Sequence, residues 1–355
     1  MKAAHCFCSH LALLLGAALL LSAPSSATAQ RPVYAPPAGQ VLVGMYRPLN
    51  EPFDARTVQG EPGVVVAYTG LKGLPGITDA INVGQGVGHV DALMQQHPHS
   101  ALALGVWAVD HIEGIASGEY DAQIDRLIAL TERYRRPVYL RFGYEFDAPW
   151  NHYEPEVYVR AWKRFRARIN ALRARHIVMV WQSAAFCGET YQSHLLERWY
   201  PGDDQVDWIA MSYFHPNGCG GLVAEGLVSF ARQRGKPMMI AEATPKGHDL
   251  TGARYSPTGE KFMAAPAEAL WAVWYQPMFD FIARNADTVR ILLYINQNWD
   301  AYPVWRRPIR KDYWGDSRLQ GSEAILNRWR AATAGPQWLW GGQKLFRSLG
   351  YPEPD

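Results

Sequence analysis

Eight short apolar segments, rich in β-branched and aromatic residues, recur along the chain, and stretches with helical periodicity separate them. Near-continuous apolar runs are typical of parallel strands that are covered on both faces. Eight alternations of strand and helix predict a single α/β domain closed into a (β/α)8 barrel, the TIM-barrel architecture, and disfavour the alternative of a doubly wound open sheet. The predicted strands are Val41–Tyr46, Val64–Tyr68, Leu102–Trp107, Val138–Arg141, Ile177–Trp181, Trp208–Tyr213, Met238–Ala241 and Ile291–Ile295.

The segments between these strands differ in how clearly they predict a helix. Between strands four and five, Trp162, Phe165 and Ile169 recur at helical spacing and form an apolar stripe. The segment between strands two and three is poorly patterned. Residues 244–266 are polar and rich in Gly and Pro, which predicts a long loop over the face where the strands end. The aromatic and Gly-rich tail, residues 334–355, is expected to pack across the barrel.

The N-terminus has the pattern of a secretory signal peptide. After Lys2 comes an apolar run at residues 11–21, which is shorter than the roughly 20 residues that span a bilayer. Ala27-Thr-Ala29 is a small-x-small cleavage pattern. We predict that residues 1–29 are removed and that residues 30–355 form one domain, with a retained anchor as the alternative. The mature protein is expected to be secreted or periplasmic, with no membrane span.

Charge and cysteine content restrict the partners of the mature chain. Without Lys2 it carries 34 basic and 33 acidic residues, and this near-neutral balance argues against nucleic acid and suits a neutral polysaccharide. Cys187 and Cys219 are predicted to form a disulfide between two loops, with two free thiols as the alternative. No cluster has the spacing of a metal site, so no metal or cofactor is expected. The chain is expected to act as a monomer.

Two of the predicted strands lead into a glutamate. The segment Pro137–Asp147 contains Glu145, and the segment Lys236–Pro245 contains Glu242. A carboxylate at the C-terminal end of a barrel strand lies where this architecture carries its chemistry. A facing pair of carboxylates is what glycosidic bond hydrolysis requires. Either glutamate alone is as readily a helix cap or a surface ion-pair partner, but the pair on strands four and seven favours a glycosidase.

The neighbours of the two glutamates predict different roles for them. Strand alternation would place Tyr139, Arg141, Gly143 and Glu145 on one inward face. A buried Arg141 needs an anionic partner, and an ion pair with Glu242 would keep that glutamate ionised, as a nucleophile must be. Glu145 is bordered by aromatic residues and proline, so its pKa should be raised, which suits a proton donor.

Aromatic residues at other strand ends are candidate sugar contacts, because sugar rings present apolar faces. Trp150 and Trp299 lie just past strand ends, whereas Trp107 and Trp181 close strands three and five, where core packing is an equal alternative. Tyr213 closes strand six, and its hydroxyl is placed to orient the glutamate of strand seven. The candidate polar contacts to sugar are His215, Gln182, Ser183, Asp147 and Asp110.

The segment Arg141–Asp147, followed by Trp150, resembles the strand-four motif Arg-x-x-His-Glu-x-Asn of the glycoside hydrolases of family 26. These are retaining β-mannanases and related β-glycanases of clan A. The resemblance implies a barrel fold and a double-displacement mechanism. It further implies that Glu145 is the acid/base, that Glu242 is the nucleophile and that Tyr213 is the strand-six partner of the nucleophile.

Two departures from that motif leave the substrate open. Tyr144 stands where the family has His, and Asp147 stands where it has Asn. The resemblance therefore implies an endo-acting β-glycanase whose polysaccharide is a β-mannan, a β-glucan, a xylan or an exopolysaccharide. The alternative is a barrel that binds polysaccharide without cleaving it, since fold alone does not determine activity.

Overall fold

A computed structural model of the chain describes residues 31–51, 58–82, 86–187 and 193–352, so the predicted signal segment lies outside the described residues. Eight parallel strands pair in chain order, and the eighth pairs with the first from Leu42↔Ile291 to Tyr46↔Ile295. This pairing closes the sheet and confirms the predicted (β/α)8 barrel. The strands are β1 Val41–Tyr46, β2 Val64–Gly70, β3 Ala101–Trp107, β4 Val138–Phe142, β5 Ile177–Ser183, β6 Trp208–Tyr213, β7 Met238–Ala243 and β8 Val289–Ile295.

Helices follow most of the strands and cover the outside of the barrel. In the poorly patterned segment after β2, Ile81–Asn82 pairs antiparallel with Val87–Gly88 ahead of the helix. Within the described ranges, no helix is long and apolar enough to cross a membrane. The α-helices with bounds in the described residues are α1 Val90–Gln96, α2 Ile112–Ser117, α3 Asp121–Glu132, α4 Pro155–Ala171, α5 Ser193–Trp199, α6 Cys219–Gln233, α7 Ala267–Leu270, α8 Gln276–Arg284, α9 Glu323–Thr333 and α10 Leu345–Ser348, with a π-helical turn, Trp271–Tyr275, between α7 and α8.

Strand residues alternate between the barrel interior and the layer beneath the helices. On β5, Val178 and Val180 belong to the interior cluster, while Met179 and Trp181 belong to the outer cluster. The alternation follows from the pleat of a strand, which sends successive side chains to opposite faces. Because both faces are buried, the strand sequences are continuous apolar runs, and the strands can therefore be predicted from the sequence.

The C-terminal tail closes the N-terminal end of the barrel. The two-residue strand Trp338–Leu339 pairs in parallel with the start of β1. Farther along, Leu345 and Leu349 join the interior cluster, and the rings of Tyr34 and Tyr351 lie 5.4 Å apart. These contacts confirm that the tail packs across the barrel, and they leave the opposite end, where the strands terminate, for the site.

The long segment after β7 folds into an antiparallel sheet of three short strands, His248–Asp249, Arg254–Tyr255 and Met263–Ala264. It follows the C-terminal end of β7, as the predicted loop over that face should. Lys246, just before the sheet, lines the cavity at this end of the barrel.

Candidate active site

A cleft of about 540 Å³ opens at the C-terminal ends of the barrel strands. Glu145 and Glu242 both line it, and both are largely buried, with 7% and 8% of their surface exposed. The structure therefore brings the two predicted glutamates into one cavity. Its aromatic lining includes Tyr68, Tyr144, Trp107, Trp150, Trp299 and Trp314.

A bulge in β7 turns Glu242 toward the cleft. The interior cluster takes Met239 and Ala241 from this strand, so strict alternation would send Glu242 outward. The pairing with β6 shifts register, however, from Met211↔Ile240 to Ser212↔Glu242. One extra residue of β7 is accommodated there, and such bulges re-aim side chains near active sites.

Three donors hold the Glu242 carboxylate through one oxygen. The Arg141 Nη1 donates to Oε1 at 2.8 Å, the Tyr68 hydroxyl donates at 3.0 Å, and the Gln182 amide donates at 3.5 Å. Arg141 is fully buried, so this ion pair satisfies a cation that would otherwise be costly to bury. The predicted Arg141–Glu242 pair is present.

Glu145 reaches the cleft from a turn rather than from a strand. β4 ends at Phe142, and both Gly143 and Glu145 adopt left-handed backbone conformations, with φ of 52° and 55°. The expected single inward face therefore holds for Tyr139 and Arg141 but not beyond them. Asn151 holds the turn, because its side-chain amide donates to the carbonyl oxygens of Tyr144 and Glu145 at 3.0 and 2.7 Å.

The Glu145 carboxyl group lies in a setting that favours its protonated form. Burial, followed by the nearby charge of Glu242, raises its pKa to about 8. Two hydrogen bonds oppose that rise: the Ser212 hydroxyl donates to Oε1 at 2.6 Å, and the Trp150 indole donates to Oε2 at 3.2 Å. The expected rise is present, and its physical cause is burial together with a second carboxylate.

Three sequence-predicted site residues do not make the contacts expected of them. Tyr213 borders the cleft, but its ring follows the outward alternation of β6 and packs against Trp274 and Phe281, so Tyr68 rather than Tyr213 contacts Glu242. Trp181 is fully buried in the outer layer, where it stacks on neighbouring aromatic rings. Asp147 accepts hydrogen bonds from the Ser183 hydroxyl and the Ala184 amide, so it fixes a loop junction instead of facing the cleft.

The other predicted contacts lie on the cleft wall. Trp107, Trp299 and His215 line the cavity, and Trp150 does so with 47% of its surface exposed. Tyr144 also lines it, and the Arg141 guanidinium lies 5.4 Å from the centre of its ring. The disulfide between the two predicted cysteines is confirmed, and Cys187 lies at the rim of the cleft.

Two groups that touch the carboxylates, Tyr68 and Ser212, are not predicted from the sequence. Tyr68 lies within the predicted second strand, where its inward direction follows from the alternation with Val64 and Val66. Ser212, the neighbour of Tyr213 on β6, points inward and donates to Glu145. Across the described part of the chain, no group of three or more His, Cys, Asp or Glu side chains is arranged to hold a metal ion.

No family model matches the chain. A β-1,3-xylanase, TXYA, from a Vibrio species is 34% identical over 320 residues, which are 89% of this chain and 69% of that protein. A β-1,3-xylanase from an Alcaligenes species is 34% identical over 294 residues, which are 82% of this chain and 62% of that protein. The chain thus spans about two thirds of the length of these relatives.

Solved structures show the same architecture. The catalytic domain of the family 26 endo-β-1,4-mannanase from Bacillus sp. JAMB-750 aligns with a TM-score of 0.59 at 14% identity, covering 87% of this chain and 90% of that one. The family 26 β-mannanase of Bacteroides ovatus aligns with a TM-score of 0.53 at 16% identity, covering 87% and 93%. At these identities the likeness concerns the fold.

Proposed function

The chain belongs to the family of the β-1,3-xylanases, within the clan A glycoside hydrolases, and on that premise we propose that it is an endo-acting hydrolase of β-1,3-linked xylan. The observation that carries the proposal is the pair of glutamates in one cleft, Glu242 ion-paired and Glu145 biased toward its protonated form. Similarity to two β-1,3-xylanases supports β-1,3-xylan as the substrate, and an open, aromatic cleft suits a polysaccharide.

In the first step of the proposed mechanism, Glu242 is the nucleophile. Its Oε1 is occupied by the three donors, and among the described residues no donor contacts Oε2, which is therefore the attacking oxygen. Oε2 forms a bond to the anomeric carbon while the glycosidic C–O bond breaks. Glu145 gives its proton to the departing oxygen, so the products are a free sugar hydroxyl and a glycosyl ester of Glu242.

In the second step the roles of Glu145 reverse. As a carboxylate it takes a proton from water, whose oxygen attacks the anomeric carbon and displaces Glu242. Two inversions give net retention, which requires carboxyl groups about 5–5.5 Å apart. A pKa of about 8 keeps Glu145 protonated at neutral pH for the first step.

Secretion is part of the proposal. The signal pattern at residues 1–29 supports export, and the Cys187–Cys219 disulfide suits an oxidising compartment. The substrate, a polysaccharide too large to cross a membrane, is met outside the cell.

The decisive test replaces each glutamate in turn. Glu145→Gln and Glu242→Gln should each lower the release of reducing ends from linear β-1,3-xylan by at least about a thousandfold, because each removes a group that acts on the reacting atoms. Glu156→Gln, on the exposed face of α4, is the matched control and should remain active.

Two further readouts sharpen that test. β-1,4-xylan, β-mannan and mixed-linkage glucan should be cleaved at least about tenfold more slowly than β-1,3-xylan, and NMR should show a first product that retains the β-configuration. Binding of β-1,3-xylan by the wild-type protein without any reducing-end release would contradict the proposal and identify a binding barrel. An initial α-product would contradict the double displacement.

A further inference from the structure

A chain of hydrogen bonds joins the two carboxylates through Gln182 and Ser212, and its direction follows from Arg141. A guanidinium has donors and no acceptor, so the Gln182 atom that lies 3.0 Å from Arg141 Nη1 is the amide oxygen. The amide nitrogen of Gln182 then faces Glu242 Oε1 at 3.5 Å and the Ser212 Oγ at 3.2 Å. Arg141 therefore fixes the orientation of this amide.

The direction continues through Ser212. Its oxygen accepts a hydrogen bond from the Gln182 amide, and its single proton is left for Glu145 Oε1 at 2.6 Å. Oε1 of Glu145 is thus an acceptor on the inner side of the site, where Ser212 is only 2% exposed. The other oxygen, Oε2, lies on the cleft side and accepts a longer hydrogen bond, 3.2 Å, from the Trp150 indole, so it is the more weakly held of the two oxygens.

We propose that Gln182 and Ser212 are positioning residues that place the acidic proton of Glu145 on Oε2, the oxygen on the cleft side. The inference rests on the proposed function, since it concerns the proton delivered to the leaving oxygen. With Oε1 fixed as an acceptor, Oε2 carries the proton in the first step and receives it from water in the second. The same bond from Ser212 stabilises the carboxylate form in between.

Charged and titratable side chains from β2, β4, β7 and the turn after β4 surround Glu145. Glu242 on β7 and Asp147 in its own turn both favour the protonated form. Arg141 on β4 is paired with Glu242, and the phenols of Tyr144 and Tyr68 lie beside that pair. Ser212 is therefore a neutral donor among charged neighbours, and removing it changes no charge.

The test uses two single variants, Ser212→Ala and Gln182→Met. It compares a substrate whose leaving group needs the proton of Glu145 with one whose leaving group does not. For unactivated xylo-oligosaccharides, each variant should lose about 10–100-fold in kcat/KM, because general acid catalysis is worth about 10²–10⁴-fold and is only partly lost. An aryl glycoside with a dinitrophenolate leaving group needs no proton from Glu145, so its kcat/KM should change less than about threefold in Ser212→Ala. Gln182→Met also removes a donor to Glu242 and should lose activity on both substrates. Ser212→Thr keeps the hydroxyl and should retain most of the wild-type kcat/KM.

Ser100→Ala is the matched control. Ser100 is fully buried and donates to the Pro62 carbonyl at the other end of the barrel, so this variant loses a comparable hydrogen bond far from the cleft. Both substrates should be hydrolysed at the wild-type rate. Equal losses on the two substrates in Ser212→Ala would overturn the inference, because they indicate a distorted site rather than a misplaced proton.

A second readout does not need turnover. With ¹³C-labelled glutamate, and with the Glu145 signal assigned by its absence in Glu145→Gln, the pKa of Glu145 should rise by about one unit in Ser212→Ala as the donor to the carboxylate is lost. An unchanged pKa would overturn the inference even if activity falls. A wild-type protein that hydrolyses no glycoside would instead refute the proposed function, and the titration would still report on Ser212.

Discussion

Glu242 depends on side chains from three strands, each of which supplies one donor to the same oxygen. Tyr68 comes from β2, Arg141 from β4 and Gln182 from β5. The space for two of them is provided by Gly105 on β3, where a Cβ atom would approach the Tyr68 ring to 2.6 Å and the Arg141 guanidinium to 3.2 Å. A side chain at position 105 would therefore displace the groups that hold the nucleophile.

Removal of the Tyr68 hydroxyl should weaken this arrangement without changing its charge. Tyr68→Phe is expected to lower kcat/KM by about 10–100-fold, because a hydrogen bond to a charged group contributes about 1.5–3 kcal/mol. Tyr213→Phe, whose ring packs outward, should stay within about twofold of wild type. Steady-state kinetics on β-1,3-xylan compare the two, and the reverse order would show that the strand-six tyrosine is the partner after all.

Among the elements, the turn that follows β4 sets the position of the acid/base. A left-handed conformation at a residue other than glycine costs about 1–3 kcal/mol, so Glu145 remains there because other contacts enforce it. Asn151 supplies two of these contacts, and the Ala148 amide supplies a third by donating to the Glu145 carbonyl at 2.9 Å. The turn is therefore preorganised and fixes the position of the carboxyl group.

Asn151→Ala tests whether the Asn151 side chain holds this turn in place. The variant should lose about 1–3 kcal/mol in the free energy of unfolding, since the Tyr144 carbonyl loses its side-chain donor and the Glu145 carbonyl keeps only the Ala148 amide. Its kcat should fall at least about tenfold as Glu145 relaxes toward ordinary backbone angles. Chemical denaturation and kinetics measure the two effects. Asn170→Ala, at an exposed position of α4, is the control and should change neither. A loss of stability with full activity would mean that the turn keeps its shape without Asn151.

How far the sequence predicts these elements depends on their regularity. The eight strands were predictable because burial on both faces requires a continuous run of apolar residues. The stripe of Trp162, Phe165 and Ile169 was predictable because one buried helix face requires apolar residues at helical spacing. The site departs from regularity at two points, the turn at Glu145 and the bulge before Glu242. Neither leaves a sequence signal beyond Gly143, so the glutamates and Arg141 could be identified, but the donors Tyr68, Ser212 and Asn151 could not.

At the scale of the whole molecule, Glu145 links catalysis to stability. Its pKa is about 8 in the fold against 4.5 in the unfolded chain, so the folded state binds more protons between these values. The stability that this group contributes is fully present below pH 4.5 and is lost as the pH rises toward 8. A glutamate suited to proton donation thus destabilises the barrel at neutral and alkaline pH.

Glu145→Gln should reverse that loss, because glutamine does not ionise. Compared with wild type, its free energy of unfolding should gain on the order of 3 kcal/mol between pH 5 and pH 8. Denaturant titrations at several pH values measure the difference, and taking the difference cancels the titration of all other groups. The exposed control Glu156→Gln should run parallel to wild type. Parallel curves for Glu145→Gln would place the pKa of Glu145 near its ordinary value.

The closed N-terminal end of the barrel has a practical consequence for immobilising this protein on a solid support or a cell surface. Tyr34 and Tyr351 meet there, and Tyr34 is tied in place by the Tyr139 hydroxyl, which donates to its carbonyl at 2.6 Å. A tether fused beyond either tyrosine would leave from the side opposite the cleft. An enzyme anchored to a bead or a cell surface by that end would present its open face outward, toward a chain of polymer arriving from solution.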